Sequence, residues 1–329
     1  MRLLLFILIS IILSPLVIIG LIVYTYRLRR FSIPQKISGT ANEPYGGRLC
    51  MHIAGTRNDP AAYALSGHLP LFNKVIDFCM IKTMKLACRL SGYQGSMFSY
   101  PGPRPSNLTT MQSHRAAFFD DAINSALTRA DNPARQFVVL GAGWDTRCYD
   151  LPVGADVKCF EVDMAPTLNA KIAGLKSAGI PHDHVTFVET DFNQQTWLDA
   201  LTEAGFDTSL TTFILWEGVS MYLNEDAVLD TLKLAAHFPT GSQIVFDYFS
   251  GELINTEPPF EKNGSRMMKQ SMKYYEEKLS FGITTRKPAR DGVEKVVIDC
   301  GLQLDAFEHT HTEEPPEIPM YCFALAYKS

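Results

Sequence analysis

Residues 136–151 read QFVVLGAGWDTRCYDL, an apolar run that stops at two glycines flanking one alanine. Glycine tolerates positive φ and carries no Cβ, so a strand ending on Gly141 and Gly143 can lay its backbone against a ligand. A bare strand-to-helix turn would use the same residues. Acidic residues close three further apolar runs: Glu161 and Asp163, then Asp191, then Glu217. Glu161 lies 20 residues after Gly141, where a carboxylate can accept from both hydroxyls of a ribose. Asp163 is the second choice there, because it can pair with a nearby cation instead. Asp191 with Phe192 beside it suits an adenine, with one acceptor for the amino group and one apolar face. Asp145 fits a ligand contact and a helix N-cap equally well. Arg115, on a preceding helix, offers the planar fork that matches a carboxylate.

Ribose, adenine and an amino-acid head group together describe S-adenosylmethionine. Missing residues narrow the choice. A dinucleotide fingerprint needs a third glycine where Thr146 stands, and the lysine of a P-loop is absent. A nicotinamide-dependent oxidoreductase, or a cofactor-binding membrane protein without catalysis, remain the alternatives. No Ser-His or His-Asp constellation stands out, so the catalytic residue is unassigned. Tyr222, just past Glu217, is read equally as core packing or as a contact to the acceptor. His182-Asp183-His184 and His309-Thr310-His311 lack a third ligand at a convincing spacing, and no metal is expected.

The elements that must carry these residues alternate in type. FVVL (137–140), VKCFEVD (157–163), VTFVETD (185–191), TTFILWEG (211–218) and SQIVFDYF (242–249) read as strands. Helical spacing occupies 110–127, 166–178, 194–204 and 225–237. Strict alternation implies right-handed crossovers and a mostly parallel α/β sheet covered on both faces. After residue 250 the rhythm breaks. VEKVVID, LDAFEHT and MYCFALAYK are read as short strands that close the sheet edge.

Ahead of all this, Leu3 to Tyr26 contains no charge. A helix of that length would be about 36 Å long, enough for a hydrocarbon core of about 30 Å. The run exceeds a signal-peptide core and ends in Tyr24, Tyr26 and RLRR, so 1–26 is read as a single-pass membrane anchor. Arg27, Arg29, Arg30 and Lys36 follow it, which puts the catalytic part on the cytoplasmic side. Seven cysteines without framework spacing agree with a reducing compartment, against which stand the glycosylation triplets at Asn107 and Asn263. Residues 27–60 are expected as a linker and 61–329 as the main domain. Within it, 61–109 and 250–292 serve as lid elements over the strand ends, with Met267, Met268, Met272, Tyr274 and Tyr275 at helix-like spacing. Net charge of -5 and the lack of a basic run outside the N-terminal region exclude a nucleic-acid partner.

HRAAFFDDAI, ARQFVVLGAGWDTRCYDL, CFEVDMAP, VETDFNQQTW, ILWEGVSMYLNEDAV and GSQIVFDYF resemble the leucine carboxyl methyltransferase-like, S-adenosylmethionine-dependent O-methyltransferases over about residues 110–250. The resemblance implies a class I methyltransferase (Rossmann-like) sheet of order 3-2-1-4-5-7-6. It implies S-adenosylmethionine as cofactor and a carboxylate, on a small molecule or a protein, as acceptor. Arg115 would then hold the methionine carboxylate, and Gly141, Gly143 and Asp145 the methionine and sugar side. Glu161 would take the ribose, Asp191 the adenine, and Glu217 the methionine amino end. Ala116-Ala117 stand where the family often has Thr-Arg, and the apolar N-terminus is outside its usual pattern.

Overall fold

Alternate residues of β1 (Gln136–Leu140) enter two separate cores. Val138 and Leu140 pack on one face of the sheet with Phe160, Ile214 and Phe246, and Phe137 and Val139 on the other with Phe119, Phe213 and Val245. A strand apolar on both sides belongs in the middle of a covered sheet. In this computed structural model, which describes residues 1–95, 98–107, 109–190, 196–260, 273–286, 288–310 and 318–329, it does sit there. β1 pairs in parallel with β2 (Lys158–Asp163) and β4 (Thr212–Trp216). β2 pairs with β3 (Val185–Glu189), and β4 with β5 (Gln243–Ser250), both in parallel. A two-residue strand, β6 (Gly282–Ile283), attaches to β5 off the main path. β7 (Gln303–His309) and β8 (Tyr321–Tyr327) form the antiparallel edge. The order is β3-β2-β1-β4-β5-β8-β7. With the two-residue strand left out of the count, this is 3-2-1-4-5-7-6, the class I methyltransferase order.

Local chemistry explains the crossovers. The helix Glu225–Ala235 starts where Asn224 accepts from Ala227 N at 2.8 Å, and Trp197–Glu203 starts where Thr196 accepts from Asp199 N. One expectation at the edge fails. VEKVVID lies in the helix Ala289–Asp299, not in a strand. Val293 and Val297, four residues apart, are both fully buried, which is a helical stripe and not a strand alternation. Two strands therefore close the edge where three were expected.

The stretch 27–60 is not a linker. Its centre is the helix Asn42–Ala54, which buries Tyr45, Leu49 and Ile53 at i, i+4 and i+8. These side chains share a core with Leu65, Phe72, Ile76, Trp144 and Leu175. At ~1.5–3 kcal/mol per large apolar side chain buried, three such residues outweigh the poor helix propensity of Gly46-Gly47. Gly55, at φ 74°, ends the helix.

The N-terminal helix Arg2–Arg27 is the one described helix long and apolar enough to cross a membrane. It lies antiparallel beside the segment 74–91. Gly20 faces Met80 and Cys79, with room for no Cβ, since one would come within 2.4 Å of Met80 Cγ. All seven cysteines are free thiols, six of them buried.

Candidate functional site

The carboxyl ends of β1, β2 and β4 open into a cavity of about 610 Å³. That size lies within the ~300–1,000 Å³ typical of small-molecule sites. Gly141, Gly143, Asp145, Asp163, Glu217 and Tyr222 line it, together with Ser38, Thr40 and Arg48 from the N-terminal arm and Tyr275, Glu277 and Lys278 from beyond β5. The two glycines adopt φ of 66° and 40°. A Cβ on Gly141 would sit 2.4 Å from Val219 Cγ2, and one on Gly143 would sit 3.0 Å from Ala41 Cβ. Both glycines are thus required by close approach of neighbouring chain as well as by backbone conformation.

Asp163 ends β2 at the cavity wall. Its Oδ2 accepts from Gly143 N at 2.6 Å and its Oδ1 from Met164 N at 2.7 Å. Burial raises its pKa, and these two N–H groups oppose the rise. No side-chain cation pairs with it among the described residues. Each oxygen therefore keeps lone pairs for further donors.

Glu161 does not line the cavity. It sits one rung deeper on the same face of β2, 0% exposed, with Lys171 Nζ at 2.6 Å. Lys171 projects from the helix Ala165–Ala178, which covers that rung. Burial raises the Glu161 pKa against the pull of Lys171. The expected ribose carboxylate thus belongs to the core, and the second choice, Asp163, is the one at the wall.

Arg115 is also absent from the lining. Its Nε meets Glu217 Oε1 at 3.0 Å, its Nη1 donates to Tyr321 Oη at 2.7 Å, and its Nη2 donates to Gln112 Oε1 at 2.8 Å. Its guanidinium thus faces protein partners at Nη1 and Nη2 and pairs with Glu217 at Nε, away from the cavity. Arg48 does line the cavity, 2% exposed. Its Nη1 lies 3.3 Å from Glu217 Oε2 and 3.4 Å from Asp145 Oδ2, and its buried Nε has no hydrogen-bond acceptor. Sequence reading missed Arg48 because it stands in a Gly-containing stretch taken for a linker.

A second omission is Arg147, inside the WDTR turn itself. Its Nη1 donates to Asp145 Oδ2 and Glu217 Oε2, both at 2.5 Å, and its Nε donates to Asp120 Oδ1 at 2.8 Å. Asp145 also accepts from Arg147 N at 2.8 Å, so it is a turn cap and a cavity wall at once. Burial alone would raise the Asp145 pKa. The Arg147 and Arg48 guanidiniums override it and hold the carboxyl below its usual range, and Glu217 is lowered in the same way by Arg147, Arg115 and Arg48. Thr146, where a dinucleotide site has glycine, donates to Asp59 at 2.9 Å and ties the turn to the N-terminal arm.

These pairs join into one net, buried except at Arg57 and Asp120. Arg48, Arg57, Arg115 and Arg147 connect Asp59, Asp120, Asp145, Glu217 and Asp247. Five carboxylates against four guanidiniums leave one excess negative charge. Asp191 and Phe192 lie outside the described residues, as do Met267, Met268, Met272 and His311. His182 and His184 face the backbone carbonyls of Ile180 and Cys148.

A family model, leucine carboxyl methyltransferase, matches residues 96–236. Residues 96–236 are thus similar to leucine carboxyl methyltransferases. A provisionally named S-adenosyl-L-methionine-dependent methyltransferase of Mycolicibacterium vanbaalenii is 37% identical over 131 residues, 39% of this chain and 42% of that protein. A relative of the same provisional name from Bacillus subtilis is 36% identical over 137 residues, 41% of this chain and 44% of its own. A third, from Mycobacterium ulcerans, is 32% identical over 195 residues, 57% and 60%. The chain thus spans about half the length of the curated relatives it matches. The match includes β1 to β4, the acidic strand ends and the WDTR turn. It leaves out Arg48 and the residues beyond β5 that complete the methyltransferase-like cavity.

Proposed function

We propose that the protein transfers a methyl group from S-adenosylmethionine to an oxygen of its acceptor, and that this oxygen belongs to a carboxylate. The observation that carries the reading is one cavity lined by Gly141, Gly143, Asp163, Glu217 and Arg48 at the strand ends of a class I methyltransferase sheet. The excess negative charge of the net complements a ligand bearing a sulfonium, an ammonium and one carboxylate. Asp163 would accept from the ribose hydroxyls, Glu217 from the amino group, and Arg48 would turn Nε, its one nitrogen without a hydrogen-bond acceptor, to the ligand carboxylate. Asp191 and Phe192 stay assigned to the adenine. Gly141 and Gly143 would keep the turn low beneath the sugar.

When bound, S-adenosylmethionine supplies an activated methyl group. The chain's task is then alignment and exclusion of water. Lys36 and Lys278 line the cavity, beside Glu276 and Glu277, and would supply cations to an anionic acceptor. A carboxylate is ionised at neutral pH, with an ordinary pKa of about 4, so no general base is needed. Tyr222, its hydroxyl pKa raised by burial and by Glu277, would stay protonated and donate to the acceptor. The N-terminal helix would hold the protein at a membrane, with the catalytic part on the cytoplasmic side.

The test is a product screen with carboxylic acids and, in parallel, phenols and amines. A mass gain of one methylene that disappears on mild alkaline hydrolysis identifies a methyl ester and supports the reading. An alkali-stable product would overturn the choice of a carboxylate.

A further inference from the structure

The N-terminal helix is attached to the globular body at both ends. Near its start, the Phe6 ring lies 5.0 Å from Tyr93 and 5.9 Å from Phe98, and Phe98 is buried with Ala54 and Cys88. At its end, Thr25 shares a hydrogen bond of 2.9 Å with Tyr274, and Arg27 Nε donates to Pro70 O at 2.6 Å. In between, Gly20 lets the backbone close on Met80. Twenty-six residues of helix, about 39 Å, are therefore held along one side of the domain.

A helix so attached cannot stand across a bilayer without bringing its neighbours with it. The segment beside it exposes Lys74, Lys82 and Arg89, and cations so spaced are not found facing hydrocarbon. The outward face is a different matter. Leu4, Leu8, Ile11, Ile12, Ile18 and Ile22 are exposed, Ile12 by 74%. The adjacent segment continues the surface with Phe78, Leu86 and Leu90, at 57%, 45% and 58%. A soluble monomer rarely presents an apolar patch of this extent. Exposed cations border it, Arg29 and Arg30 at one end and Lys82 and Arg89 along its flank.

We infer that the helix Arg2–Arg27 lies in the plane of the membrane surface and does not span it, and that Phe78, Leu86 and Leu90 enter the lipid with it. The partner is an anionic bilayer: the apolar face reaches the acyl boundary while the bordering cations meet head groups. This rests on the membrane reading above but changes its geometry. The chain leaves the helix at Arg27, and within ten residues Ile33, Lys36 and Ile37 line the cavity. The site therefore sits next to the lipid surface, placed for an amphipathic acid that keeps its tail in the bilayer.

The experiment uses the full chain carrying an epitope at each terminus, in sealed membrane vesicles treated with protease from outside. The expected result is both epitopes cut in vesicles of one orientation and both protected in the other. Epitopes on opposite sides would overturn the in-plane geometry while leaving membrane attachment intact. A full-length chain found only in the supernatant, or a mature chain lacking its N-terminal epitope, would overturn both. A second measurement places a dye on Leu90→Cys in a Cys50→Ser background. Lipid-borne spin labels in phosphatidylcholine–phosphatidylglycerol vesicles should quench it several-fold more than a soluble quencher does. The reverse order would sink the two-helix surface.

Discussion

The floor and the roof of the cavity are built in different ways. The floor is mostly backbone: the ends of β1, β2 and β4, two glycines at positive φ, and Asp163 held by its neighbour Met164 N and by Gly143 N of the turn after β1. The roof is side chains brought from far apart in sequence. Glu277 accepts from Gly39 N at 3.2 Å, Thr40 N at 3.4 Å and Thr40 Oγ1 at 2.6 Å, which joins the N-terminal arm to residues more than 230 positions later. Arg48 reaches down from the arm to Asp145 and Glu217. Local geometry therefore fixes where a ligand can lie, and long-range charge pairing fixes whether the site closes.

If that division is right, the largest effect comes from the roof's buried cation. Arg48→Ala leaves Asp59, Asp145 and Glu217 with one guanidinium fewer, and should cost on the order of 3–5 kcal/mol in denaturant titration. Gly141→Ala in the floor should cost roughly 2–4 kcal/mol, from strain at positive φ and from the contact of its Cβ with Val219. An Arg48→Ala protein as stable as the parent would break the comparison.

Two carboxylates give pH signatures of opposite sign. Burial raises the Asp247 pKa to about 6, against Arg115, from an ordinary 3.8. The folded protein then holds more protons than the unfolded chain between these values, so stability falls as pH rises through about 4 to 6. The shift corresponds to a term on the order of 3 kcal/mol. Asp120, for which Arg147 and Arg57 outweigh burial, is lowered to about 2. Its contribution is present above pH 4 and is lost as pH falls toward 2. Melting temperature against pH should show Asp247→Asn flattening the first limb and Asp120→Asn the second.

Smaller still is the separation of Asp163 from Glu161. Asp163→Asn, which keeps an acceptor for the Gly143 and Met164 N–H groups, should weaken S-adenosylmethionine binding about 10- to 100-fold, the loss expected for hydrogen bonds to a charged acceptor, with a smaller change in melting temperature than Glu161→Gln. Glu161→Gln should do the reverse, because it strands Lys171 in the core. Last, Glu277→Gln should lower affinity only a few-fold, through faster release as the roof loosens, with stability unchanged.

The floor was legible because its signals are local. Apolar runs, a glycine pair and acidic residues at strand ends are patterns within a few residues, and they pointed to the parallel strands and to Gly141, Gly143, Asp145, Asp163 and Glu217, which line the cavity; the sheet order came from the family resemblance. What failed did so for stated reasons. Strand position located the row of Glu161 and Asp163 but not the rung at which a helix would cover one of them. Arg115 has the right chemistry, yet Glu217 and Tyr321 take its donors, and neither partner is near it in sequence. VEKVVID contains apolar β-branched residues, but the spacing of Val293 and Val297 is helical. Arg48 has no local signature, because its helix forms by burying Tyr45, Leu49 and Ile53 against a body encoded elsewhere.

Calorimetric titration of S-adenosylmethionine into the full chain in mild detergent, with NAD as the control ligand, tests the central claim most directly. Micromolar binding of S-adenosylmethionine, weakened about 10- to 100-fold in Asp163→Asn and absent for NAD, is the predicted result. Folded protein that takes up no S-adenosylmethionine would mean that Gly141 and Gly143 serve the turn alone, and that the charged net beneath the arm holds the fold and no ligand.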